Sequence, residues 1–439
     1  MPEPHGSGLS VGDEVEVHVT AIAHGGHCIA RHDGQVLFVR HTIPGERVLA
    51  RVTETGAGER FVRADAVGVV TASPDRVEPP CPWAGPGRCG GCDLQHVDLP
   101  RQRALKADVV REQMARLAHL DVEVEVEAVP GDTDGLDWRT RVEFAVDADG
   151  RAGLRRHRSH VVVPIDHCRI AAGGVDRLRV TERAWPGREA VDAVAPSLGE
   201  PLAVALPLGA PEAPVVRERV QARWPGAGGA SGSLAHDFSV SARGFWQVHP
   251  GAARTLLEAV LAATTPRPGE RALDLYCGVG LFATALADAV GPQGQVVAVE
   301  SDPDATAHAR ANLAGHPSVA VLTARVDDAF GVPRASRRGP TRQRGSRPRK
   351  VARSHLLPTS ADVVVLDPPR SGAGRGVCEQ VAALGPRVVA YVACDPAALA
   401  RDTAYLADAG YRLDGLRAFD AFPMTHHVEC IAILAPADR

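Results

Sequence analysis

Only two lysines, Lys106 and Lys350, stand among the 49 Lys and Arg of this chain, and aromatic residues make up 4% of its 439 positions. The arginine bias reads as base composition, and the scarcity of Phe, Trp and Tyr excludes a broad platform on which bases could stack. No apolar run reaches the roughly 18 residues that would span a bilayer. The opening MPEPHGSGLS also lacks the basic and apolar regions of a secretory signal. A cytoplasmic protein with no membrane partner is expected. Nine cysteines in so long a chain do not suggest a disulfide framework, so clustered spacing among them points to metal or catalysis.

The net charge of -4 argues neither for nor against a nucleic-acid partner, but its distribution is uneven. Segment 331–358, with RASRRGPTRQRGSRPRKVARS, holds nine Lys and Arg and no acid. So basic and Gly/Pro/Ser-rich a stretch is expected to be a disordered insertion, either inert or waiting for a polyanion.

A chain of this length predicts two to four domains. Over residues 1–73 the pieces DEVEVHVTAI, QVLFVR, ERVLARVTE and FVRADAVGVV alternate with Gly and Pro signals, the rhythm of a small all-β barrel. Phe38 and Phe61 are its candidate stacking residues, with core packing the favoured role. A mixed central region, 74–244, carries a helix expected over Leu99 to Leu120. From 245 to 439 strand and helix alternate, as RALDLY, LFATALADAV, QVVAVE, ADVVVLDPP and RVVAYVAC show, which predicts an α/β domain with a parallel, doubly wound sheet. The last two strands, YRLDGLRAFD and VECIAILA, read as an antiparallel pair.

LDLYCGVG before a helix, with Glu300 closing the next strand 22 residues after Gly278, is a nucleotide-binding pattern. The glycines let a ligand approach and the carboxylate can accept both ribose hydroxyls. Without a third glycine to pack a pyrophosphate-binding helix, a nucleoside lacking phosphates fits better. Elsewhere Cys81, Cys89 and Cys92 are spaced C-x7-C-x2-C, and Cys168 comes later in PIDHCRI. Four soft ligands suit either zinc or an iron-sulfur cluster; one C-x2-C pair in a Gly/Pro-rich loop leans toward iron-sulfur.

In order along the chain, these motifs, with FWQVHP, LDPPR, a strand-end cysteine before Asp-Pro and HHVE, resemble the RNA 5-methyluridine methyltransferases, in particular the iron-sulfur type acting on 23S rRNA. The resemblance implies a Rossmann-like class I methyltransferase sheet, an N-terminal OB-like TRAM barrel that binds RNA, and a small central domain. It implies a [4Fe-4S] cluster on Cys81, Cys89, Cys92 and Cys168, and S-adenosylmethionine bound by Gln247, Tyr276, Glu300 and Asp367. Cys394 would be the nucleophile and Glu429 the base. RNA, rRNA or tRNA, is the expected partner, without DNA or an obligate protein partner. The family's Ser-Cys-Asn-Pro is Ala393-Cys394-Asp395-Pro396 here, and DPPRSG is similar to the tRNA branch.

Such chemistry needs two groups beyond the cofactor. C5 of uracil attacks a methyl only after a thiolate adds to C6, and a base must then remove the C5 proton. The Cys394 and Glu429 pair favours this over a nitrogen methyltransferase; a cytosine-5 enzyme and a non-catalytic RNA-binding protein or chaperone are the alternatives. The target base must lie in a loop or flip out of its stack.

Overall fold

The computed structural model describes residues 8–56, 61–207, 213–226, 231–333 and 352–437. Five strands, β1 (Glu14–Ala23), β2 (His27–His32), β3 (Gln35–Arg40), β4 (Arg47–Thr55) and β5 (Val62–Thr71), close a barrel in the order β1-β2-β3-β5-β4. Val17, Val19, Leu37, Val39, Val48, Ala50, Val52 and Val62 alternate inward with more exposed residues between them, the period-2 pattern of a closed sheet. Phe38 and Phe61 belong to the outer face, half-buried against each other at 6.0 Å between ring centroids. This corrects the expectation that they fill the core, since Leu37 and Val39 on either side of Phe38 take the inward positions.

Leu94, Val97, Leu105 and Val109 extend the barrel core into the central region, so the barrel is packed against α1 (Leu99–Gln113). Asp98 caps that helix by accepting from Arg101 N at 2.8 Å, and Pro100 occupies its first turn. The helix expected to reach Leu120 ends sooner. Residues Met114–Ala118 widen into a π turn, closed by His119 in the left-handed conformation.

The central region contains a five-stranded sheet, β11-β10-β7-β8-β9, from β7 (Arg141–Val146), β8 (Ala152–Arg155), β9 (Val162–Pro164), β10 (Ala190–Val194) and β11 (Leu202–Leu206), with a short α2 (Gly173–Asp176). A hairpin of β12 (Val215–Pro225) and β13 (Ser231–Ser241) comes next.

The large sheet runs β16-β15-β14-β17-β18-β20-β19-β6. Its strands are β6 (Val126–Ala128), β14 (Arg271–Leu275), β15 (Gln295–Glu300), β16 (Val319–Thr323), β17 (Val363–Leu366), β18 (Val388–Ala393), β19 (Tyr411–Asp420) and β20 (Glu429–Pro436). β14 to β18 are parallel and β20 is antiparallel to both its neighbours, as their sequences predict. β6 adds an edge strand from the central region, parallel to β19. Helices α3 (Ala252–Thr264), α4 (Leu281–Val290), α5 (Pro303–Asn312), α6 (Val326–Ala329), α7 (Arg375–Ala383) and α8 (Pro396–Asp408) accompany it. Continuous runs such as VVVL and VVAYVA are buried throughout, as strands of a parallel sheet must be when both faces are covered. Most of the basic segment 331–358, residues 334–351, lies outside the described residues. No helix among the described residues is long and apolar enough to cross a membrane.

Candidate active site

Strand register gathers the candidate side chains. Leu275 lies beside Val299 and Leu366, Leu366 beside Tyr391, and Ala393 beside Cys430. Tyr276, Glu300, Asp367, Cys394 and Glu429 therefore stand at the carboxyl edge of the parallel strands, where open α/β sheets take their ligands. Gln247 approaches from a different element, the loop between β13 and α3, and is buried. Its neighbour Trp246 shares an apolar cluster with Cys277, Val279, Phe419 and Ala421, which holds the loop against this edge.

The turn after β14 is tight and open on one side. Tyr276 (φ 67°) and Gly278 (φ 53°) both take left-handed backbone conformations, and a Cβ on Gly278 would meet nothing within 4 Å. Gly278 N donates to Glu300 Oε2 at 3.2 Å, tying this turn to the end of β15. The other oxygen of Glu300 accepts from Ser301 N and Asp302 N, which fixes the carboxylate. Inside β14, Asp274 is fully buried. One oxygen accepts from Ala283 N at 2.8 Å and the other has no partner. Burial pushes its pKa up to about 8, and Asp367 and Glu300 add to the shift. The sequence reading missed Asp274, though an acid inside an otherwise apolar strand was the signal. It also missed Asp402, whose Oδ2 accepts from Ala373 N, Gly374 N and the Tyr391 hydroxyl and so straps the loop after LDPP to α8.

Cys394 is half-buried and Glu429 is buried. Burial, and then the Glu429 carboxylate, push the thiol up to about 11, against the pull of the Arg370 guanidinium. Glu429 is raised well above the carboxylate range by burial and by Asp367, again opposed by Arg370, and Asp367 is pushed up by burial to about 7. Arg370 is the charge that LDPPR supplies to both Cys394 and Glu429; it also donates to His427 Nε2 at 3.2 Å. Phe245, in the FWQVHP loop, is a large apolar side chain left 73% exposed two residues before Gln247.

The loop before Glu429 is held by the cysteine-rich segment. Asp93 N and Leu94 N both donate to Met424 O at 3.0 Å, and Met424 N donates to Gln102 Oε1. Cys81, Cys89, Cys92 and Cys168 come together beside it. Burial raises the thiols of Cys89, Cys92 and Cys168, and neighbouring thiols add to it: Cys81 on Cys89, Cys168 and Cys89 on Cys92, Cys89 on Cys168. Asp137, His167 and Asp176 form a separate group whose ligand atoms lie within 4.8 Å of one another.

Two protein families match the chain: TRAM domain over residues 9–67 and tRNA (Uracil-5-)-methyltransferase over residues 238–436. A Streptomyces avermitilis protein named as an uncharacterized RNA methyltransferase is 50% identical over 98% of this chain and 100% of its own length. The 23S rRNA (uracil(1939)-C(5))-methyltransferase of Shewanella amazonensis is 30% identical over 96% of this chain and 95% of its own. The crystal structure of Pyrococcus abyssi tRNA (uracil-54, C5)-methyltransferase with S-adenosyl-L-homocysteine superposes with a TM-score of 0.64, covering 96% of this chain and 100% of that one at 21% identity. The sheet at whose edge a thiol and a buried carboxylate meet thus has its likeness in both sequence and fold, and the chain belongs to the RNA uracil-5-methyltransferase family.

Proposed function

We propose that this enzyme methylates C5 of a uridine in 23S rRNA, with S-adenosylmethionine as donor, Cys394 as nucleophile and Glu429 as base. The observation that carries the reading is the pairing of Ala393 with Cys430, which sets the residue after β18 beside the residue that begins β20. The resemblance to the Shewanella enzyme favours rRNA over tRNA.

S-adenosylmethionine supplies an electrophilic methyl on a sulfonium. Glu300 would accept the ribose hydroxyls beside the open turn at Gly278, with Gln247, Tyr276 and Asp367 as the further contacts. The Cys394 thiolate adds to C6 and drives the electron pair through C5 toward O4. C5 then takes the methyl, and Glu429 removes the C5 proton. The pair left behind re-forms C5=C6 and expels the thiolate. Exposed Phe245 offers a face on which a displaced base can stack.

The four cysteines fit a [4Fe-4S] cluster. What supports it is four thiols near one another, with burial and each other's charge raising those of Cys89, Cys92 and Cys168, in a segment with one C-x2-C pair where a zinc ribbon would offer two. The cluster would act structurally, fixing the segment that grips Met424.

Mass mapping of rRNA and tRNA from cells lacking the protein tests the substrate: one missing 5-methyluridine in 23S rRNA is expected, and loss confined to tRNA would refute the rRNA assignment. Cys394→Ala should abolish turnover with binding kept, and Glu429→Gln should leave methylated RNA covalently attached on a denaturing gel.

A further inference from the structure

The barrel reaches the catalytic centre directly. The β1–β2 hairpin turns through His24-Gly25-Gly26, and His24 Nε2 lies 3.1 Å from Asp395 Oδ2. Asp395 is the residue after Cys394, and its other oxygen accepts from Ala398 N at 2.8 Å to cap α8. One carboxylate therefore holds the start of the helix behind the thiol and a side chain of the barrel together. Beside it, Gly26 is pressed against the loop that leads into Glu429: a Cβ there would fall 2.8 Å from the Cβ of His426 and 3.2 Å from that of Asp93. Only glycine fits this turn, which also needs φ of 79°. The hairpin tip thus touches the chain one residue after Cys394 and three residues before Glu429.

Resting on the assignment of Cys394 as nucleophile, we propose that His24 is a positioning residue for methyl transfer: docked through Asp395, the barrel hairpin sets the orientation of the thiol. Besides carrying RNA, the barrel then completes the reactive geometry. The Asp395 carboxylate, together with Glu112 on α1, favours the imidazolium of His24 over its neutral form, against the effect of burial. The contact is part-exposed, so its effect is moderate.

The test uses the full chain in single-turnover methylation of the RNA that accepts methyl from the wild-type protein, with RNA and S-adenosylmethionine affinities measured alongside. Asp395→Asn keeps a helix cap but removes the charge, isolating the pair. His24→Ala and Asp395→Asn should each slow methyl transfer about fivefold at unchanged affinities, and the double variant should be no slower than either. His24→Gln, which keeps a donor, should recover most of the rate. The wild-type advantage over His24→Ala should shrink as pH rises through the imidazole range. Losses that multiply in the double variant, a loss in RNA affinity with the rate retained, or no loss would each overturn the proposal. Should His24→Ala fail to fold, Asp395→Asn and His24→Gln still decide it. Cys394→Ala in the same assay separates the two readings: if it still methylates, the nucleophile assignment has failed, and if it is inactive while the pair is without effect, the positioning role alone has failed.

Discussion

Asp93 Oδ2 lies 2.6 Å from His426 Nδ1, joining two residues 333 positions apart in sequence. Its other oxygen accepts from Arg40 Nη2 of the barrel at 3.2 Å. A single buried carboxylate therefore ties the barrel, the cysteine-rich segment and the loop that leads into Glu429. Arg40 and His426 hold the Asp93 carboxyl well below its ordinary range despite its burial.

Removing that carboxylate leaves buried Arg40 without its partner, which in comparable sites costs about 3–5 kcal/mol. Asp93→Ala should therefore lower urea stability by about that amount. Asp93→Asn, which keeps part of the hydrogen bonding, should lose less stability yet still slow methylation. Equal stability of Asp93→Ala and wild type would show that the junction contributes nothing to folding.

Metal content gives a second outcome. Anaerobically purified protein should contain iron and sulfide with little zinc, and absorb in the visible. Cys89→Ser and Cys92→Ser should lose the metal and impair folding or RNA binding before S-adenosylmethionine affinity, since Glu300 and Gly278 belong to the large sheet and its turns and not to the cysteine-rich segment. Stoichiometric zinc without iron would refute the cluster.

How far the sequence shows this architecture depends on the range of the interactions. QVLFVR, LFATALADAV and QVVAVE become the strands and helix their periods predict, because local pattern and burial agree there. Cys394 and Glu429 were named by the resemblance, and the antiparallel pairing of β18 with β20 is what brings them together. Asp93, Asp402 and His24 were not legible, because each acts through a partner brought near by folding: His426, the loop after LDPP, and Asp395. β6 was missed for a related reason, three residues being too short for a pattern, and its pairing with β19 makes it a strand. The helix expected to Leu120 continued in composition beyond the point where backbone geometry ends it.

At the turn after β14, Gly278 combines a left-handed φ with empty space where a side chain would point. Gly278→Ala should cost about 1 kcal/mol in stability from backbone strain. If the space beside the turn belongs to the cofactor, S-adenosylmethionine affinity should fall about tenfold or more while RNA affinity is kept. A loss of stability without loss of cofactor affinity would move the binding site elsewhere.

The thiol itself offers the last prediction. Burial and Glu429 hold its pKa near about 11 in the protein alone, so below that value the thiolate fraction grows about tenfold with each pH unit. Alkylation of Cys394 by iodoacetamide should rise with that slope through neutral and mildly basic pH, without the plateau a low-pKa thiol would show. Arg370 already favours the anion, so Arg370→Ala should raise the pKa further and slow alkylation at a given pH. In the basic range where Glu429 is itself ionised, Glu429→Gln removes the opposing charge and should lower the pKa and speed it. The two substitutions must act in opposite directions on one measured rate. Changes of the same sign would mean that packing around the thiol, and not the charges facing it, sets its reactivity.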